Sequence, residues 1–172
     1  MTTELLCVLP DLWKEDLLLV ICGTAVGRHS AKTRCYYADP RNKFWRVLYE
    51  VGLTPVRLCP EKYRDLINYG IGVVDVVKRK AGSDKVLSTN DFDVHGFKQK
   101  IERYRPKVVC FNGKKAAKVV LHRRKVEYGY QKERIGDTRL FVAPSTSGAA
   151  GRWWDIKWWQ KLANDVKKYR QV

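Results

Sequence analysis

Seven side chains stand where chemistry can be done. Tyr37, Asp39 and Asn42 are close together in YYADPRNKFW; Asp75 is the one acid in GVVDVV; Asn112 precedes a glycine in CFNGKK; Ser145 and Ser147 fall in APSTSGAAGR. Together they offer a stacking ring, two carboxylates, two amides and two hydroxyls. Such a set suits a planar polar group that must be held, a water that must be aligned and a charge that must be steadied. Other chemistries are disfavoured. There is no GxxxxGK[ST] to clasp a nucleotide phosphate and no GxSxG nucleophile elbow. The five cysteines are scattered, with no CxxC or Cys/His pairing, so neither zinc nor an iron–sulfur cluster is expected. No lysine is placed in an apolar run as a Schiff-base nucleophile.

The elements that must position these groups are visible as changes of pattern. Leu17 to Ile21 is an unbroken apolar run closed by Gly23, which reads as a strand buried on both faces. Val73–Val77, residues 107–111 and Arg139–Ala143 read as three more. Phe44, Val47, Leu48 and Val51 mark a helix ending at Gly52; Pro60 to Tyr69, residues 90–104, the stretch after Gly113, and the Trp-rich 153–170 mark others. In the last, Trp154, Trp158, Leu162 and Val166 form the core-facing stripe, and Trp153 and Trp159 fall off it. Residues 1–16 read as a leading segment with a helical turn or two, 78–88 as a flexible basic connection, and 122–137 as an exposed basic loop or ribbon.

Strands alternating with helices imply βαβ units and right-handed crossovers. The fold expected is a three-layer α/β/α sandwich around a four-stranded, mainly parallel sheet, in a single domain spanning 1–172. Ligands in such sheets sit beyond the carboxyl ends of the strands, and all seven side chains fall at or near those ends.

The charge points to a partner. Lys and Arg number 34 against 18 Asp and Glu, a net +16. A surplus of that size favours a polyanion, because each neutralised phosphate releases counterions. A membrane is disfavoured: no apolar run approaches the ~18 residues of a span. MTTELLCVLPDLW has no basic start of the kind a signal peptide carries, and Cys22 and Cys110 lie in apolar runs as buried thiols. A reducing, cytoplasmic setting is expected.

Several blocks, in order, resemble the uracil-DNA glycosylase superfamily. They are Gly23-Thr-Ala-Val-Gly27 with His29-Ser30-Ala31, then Tyr36 to Trp45, Gly70 to Asp75, Phe111 to Lys114, and Pro144 to Gly148. The similarity covers about residues 17–165. It looks nearest to the mismatch-specific uracil/thymine branch, but that branch has asparagine third in its first motif (GINPG), where this chain has Ala25. Hypoxanthine-DNA glycosylases resemble it in lacking that asparagine and carrying YYxHPxNxFW, whose asparagine falls on Asn42. Asp39 replaces the histidine.

The resemblance implies a monomeric, metal-independent and cofactor-free enzyme that flips a base out of DNA and hydrolyses its N-glycosidic bond, leaving an abasic site. In it, Tyr37 stacks on the base, and Asn42 or Asp39 holds the water. Thr24 and Ala25 offer backbone N–H groups, and Asp75 and Asn112 read the base edge. Ser145, Ser147, Gly148, Arg152 and His29 face the DNA backbone. Uracil is the expected base, with hypoxanthine or xanthine as the alternative, and a non-catalytic binder of damaged DNA as the rival from another class. Each residue also has a plainer structural reading: Asn42 and Asp39 precede a helix and can cap it, Asn112 can end a strand, and Arg152 can be a solvated charge.

Overall fold

The computed structural model describes residues 7–171. Five strands form one sheet in the order β2-β1-β3-β5-β4: β1 (Leu19–Gly23), β2 (Ile71–Asp75), β3 (Val108–Asn112), β4 (Gly129–Ile135) and β5 (Thr138–Ala143). β2, β1, β3 and β5 run parallel, so their carboxyl ends share one edge; β4 is antiparallel to β5. The sheet therefore has one strand more than the four expected. The extra strand lies in the 122–137 segment. Its burial alternates only weakly, as an edge strand's does, and a two-residue Gly136-Asp137 turn joins it to β5.

The strands bury both faces because the apolar alternation is filled on each. Leu19, Ile21, Val73, Val108, Cys110 and Phe141 enter one core with α2 (Phe44–Glu50), the 3-10 helix Pro60–Tyr69 and α5 (Ile156–Tyr169). Val20, Cys22, Val109, Phe111, Leu140 and Val142 enter the other with α3 (Val94–Tyr104) and α4 (Lys114–Val120). Helices thus cover both sides, in three layers.

Four local expectations change. Residues 7–16 contain no helix; Leu12 bridges Val73, and residues 1–6 lie outside the described part. The long loop after β1 contains a short helix, α1 (Arg28–Thr33). The 78–88 connection is tied down: Thr24 donates its hydroxyl to Asp84 at 2.6 Å, and the Gly82 N–H reaches the Val26 carbonyl at 2.9 Å. Finally, the buried residues of α5 are Trp159, Leu162, Ala163 and Val166, and Trp159 is the fully buried tryptophan of the pair it forms with Trp158. The reason is the helical period: a ladder in steps of four drifts by about 40° a step, whereas Trp159, Leu162, Ala163 and Val166 fall at i, i+3, i+4 and i+7 on one face. Asp155 accepts from the Lys157 N–H at 3.0 Å, so the helix starts at Ile156 and Trp154 lies before it, outside the helical repeat.

Candidate active site

The parallel register brings the ends of β1 and β2 together, Gly23 opposite Asp75. A Cβ on residue 23 would stand 2.5 Å from Asp75 Oδ1 and 3.3 Å from the Tyr37 hydroxyl, so only glycine leaves the space in which these groups meet. Asp75 is 5% exposed. Its Oδ2 and the Tyr37 hydroxyl are both buried without a hydrogen-bond partner among the described residues. An unpaired buried carboxylate is costly. Desolvation accordingly raises the Asp75 carboxyl to about 7, with Lys78 drawing it down and Asp11 pushing it up. Burial, then the charge of Asp75, pushes the Tyr37 phenol well up, while the neighbouring Asn112 side chain pulls it down.

Tyr37 is fixed from behind. It sits in the left-handed region at φ 51°, unusual for a residue with a side chain. Its ring lies on Phe44 at 3.8 Å between centroids and 16° between planes, and its carbonyl accepts from the Trp45 indole at 3.2 Å. One ring face is therefore taken, and a planar ligand can stack only on the other.

Beside this corner lies a groove of about 450 Å³ lined by Asp39, Arg41, Asn42, Lys43, Ser147, Gly148 and Ala149. Asn42 accepts from the Phe44 N–H at 2.9 Å through its carbonyl oxygen, fixing the turn into α2, and its Nδ2 amide group has no partner among the described residues. Asp39 is more committed. Its carboxylate accepts from the Arg41 N–H at 2.9 Å, from Nε at 3.1 Å and from Nη2 at 2.8 Å. Those Arg41 side-chain bonds hold Asp39 at about 2, so it stays an anion and is a weak base at neutral pH.

Asn112 ends β3 and grips Thr146. Its Nδ2 donates to Thr146 Oγ1 at 2.9 Å, and its Oδ1 accepts from the Thr146 N–H at 3.0 Å. The Thr146 carbonyl in turn accepts from the Lys43 N–H at 2.9 Å. One hydrogen-bonded chain thus joins the sheet edge to both walls of the groove. Thr146, fully buried, carried no mark of this in the sequence beyond being polar in a small-residue stretch. Arg41 was also missed, although an acid two residues before an arginine in a Pro turn favours such a pair.

The remaining expected residues spread more widely. The Thr24 side chain is turned onto Asp84, and Ala25 packs against the second core. His29 is exposed on α1, near enough for its charge to lower the Asp39 carboxyl. Ser145 Oγ accepts from the Ser147 N–H at 3.2 Å and Ser147 Oγ from the Ala149 N–H at 3.3 Å, so both hydroxyls shape their own loop. Arg152 is exposed, its guanidinium 5.1 Å from the Trp153 ring and not among the residues of the groove.

Two comparisons with known proteins bear on the fold and the family. The solution NMR structure of a candidate uracil DNA glycosylase from Methanosarcina acetivorans has the same fold: TM-score 0.68, 23% identity, covering 92% of this chain and 96% of that one. The family model for the uracil DNA glycosylase superfamily matches residues 10–166, from before β1 into α5. This chain belongs to the uracil DNA glycosylase superfamily.

Proposed function

We propose that the protein removes uracil from DNA by hydrolysing the N-glycosidic bond, leaving an abasic site, as a monofunctional enzyme that needs no metal. The observation that carries this reading is the corner at Gly23: two buried polar atoms, Asp75 Oδ2 and the Tyr37 hydroxyl, await partners at the ligand-binding edge of the sheet. A uracil ring supplies both kinds of partner. Its ring N–H donates to an ionised Asp75, and its carbonyl accepts from Tyr37. When the bond to the sugar breaks, negative charge moves onto the base, and the Tyr37 hydroxyl donates to the oxygen that gains it. Asn42 is the residue that aligns the attacking water, because its Nδ2 amide group is uncommitted and its orientation is fixed by the Phe44 N–H. Asp39, held by Arg41, is assigned no proton transfer. Net +16 draws the DNA, and flipping brings the base to the corner.

The test is a strand-scission assay on single- and double-stranded oligonucleotides carrying one uracil, hypoxanthine or xanthine, followed by alkaline cleavage. Breaks at uracil are expected. Asn42→Ala should slow them at least tenfold while leaving DNA affinity close to that of the parent, because removing one group that stabilises a transition state typically costs ~2.7–4 kcal/mol of barrier. Tight binding without breaks on any of the three substrates would replace hydrolysis with simple damage binding.

A further inference from the structure

The groove beside the base corner has features that excision itself does not use. Arg41 is 83% exposed at its side chain, yet it is not free to wander. Asp39 holds it through Nε, Nη2 and the backbone N–H. Gly148 presses against it: a Cβ there would stand 2.9 Å from Arg41 Cβ and 3.3 Å from its carbonyl oxygen. The bond pattern leaves Nη1 and the outer N–H of Nη2 pointing away from Asp39, with no acceptor for Nη1 among the described residues. Lys43, on the same groove, has its Nζ 5.5 Å from the Trp154 ring and no carboxylate partner among the described residues. Opposite stand Ser147, Gly148 and Ala149, small residues that let an elongated ligand approach the backbone. A fixed guanidinium fork, a second unpaired cation and a small-residue wall suit a tetrahedral oxyanion.

We propose that this groove holds a backbone phosphate of the nucleic acid, bound by Arg41 and Lys43, and that Asp39 is a positioning residue that aims Arg41 at it. The proposal relies on the reading above only in taking the anion to be part of DNA. It gives Asp39 a role other than contact with the reacting sugar. The Arg41 bonds that hold Asp39 ionised keep the pair formed across the neutral range. Orienting the fork before the phosphate arrives removes part of the ordering cost of binding.

Fluorescence anisotropy of the full chain on an undamaged duplex, between about 50 and 200 mM salt, tests this without any scission step. Arg41→Gln should weaken binding several-fold and lower the salt slope by about 0.9, the value for one phosphate contact. Lys43→Gln should lower it similarly. Arg41→Lys, which keeps the charge and loses the fork, should recover only part of the affinity. Asp39→Asn should also weaken binding, although it removes a negative charge, and the Asp39→Asn/Arg41→Gln pair should bind no more weakly than Arg41→Gln alone.

An unchanged salt slope in Arg41→Gln would overturn the phosphate site. Asp39→Asn binding more tightly than the parent, as charge counting has it, would overturn the positioning role. So would Asp39→Asn slowing single-turnover cleavage at saturating enzyme with duplex affinity intact. Inorganic phosphate is titrated alongside. If it saturates the groove in an Arg41-dependent way while duplex affinity ignores Arg41, the site takes free phosphate and the proposal fails. A protein that cuts no uracil but shows these binding shifts would lose the excision reading and keep this one.

Discussion

Asp75→Asn is expected to stabilise the protein by about 3–4 kcal/mol at pH 8 and to weaken the proposed excision of uracil at the same time. The folded state holds this carboxyl at about 7, against roughly 3.9 in an unfolded chain. Its folded value is raised, so the folded state binds the proton more tightly. The stability this confers is complete below about pH 4, is lost progressively as pH climbs to 7, and is gone above it. Each unit of difference is worth about 1.4 kcal/mol. An uncharged, isosteric amide escapes that loss. Urea unfolding at pH 5 and pH 8 should show the advantage of Asp75→Asn growing by about 2–3 kcal/mol between them; a constant gap would mean that Asp75 is not buried as a charge-averse group. The parent's excision rate should bend near pH 7, and the variant's should not. A group that destabilises its own fold where it can do chemistry is a common mark of a working site.

Trp159→Ala should be the most damaging single change in the core. Trp159 is fully buried, and its indole donates to the Pro144 carbonyl at 2.9 Å. Truncating a buried tryptophan costs about 3–5 kcal/mol, and the stranded carbonyl adds about 1–3. That sum rivals the whole stability of an ordinary domain. Trp159→Phe keeps most of the volume and loses the hydrogen bond, so it should cost about 1–3 kcal/mol. Chemical denaturation orders the three proteins; a loss below 2 kcal/mol for the alanine variant would contradict the packing described. The site should suffer too, because Pro144 leads directly into the turn that carries Thr146 and Ser147.

Much of the framework was legible because it is written in short-range pattern. Leu17–Gly23 announced β1 by being apolar on both faces, and Phe44, Val47, Leu48 and Val51 announced α2 by their spacing. β4 escaped because Gly129–Ile135 mixes lysine, glutamate and arginine with three half-buried positions, and an edge strand has little burial to betray it. Trp159 escaped because a ladder of tryptophans in steps of four drifts by about 40° a step around the helix, whereas the buried face runs through Trp159, Leu162, Ala163 and Val166 at i, i+3, i+4 and i+7. At the site, residue types were readable and commitments were not. Asp75 looked odd in a valine run and is indeed buried. Nothing in one dimension shows that Asp39 is bound by Arg41, that Asn112 is occupied by Thr146, or that Thr24 is turned toward Asp84, which lies 60 residues away.

The Asn112–Thr146–Lys43 chain has a consequence for how a substrate must enter. Its links run from a strand end to two loops, and each is a main-chain or amide bond with little slack. Groove and corner therefore form a stiff template. If the protein yields so little, the distortion needed to expose a nucleotide falls on the nucleic acid. Mispaired or frayed stretches, which unstack cheaply, should then be engaged sooner than a perfect helix.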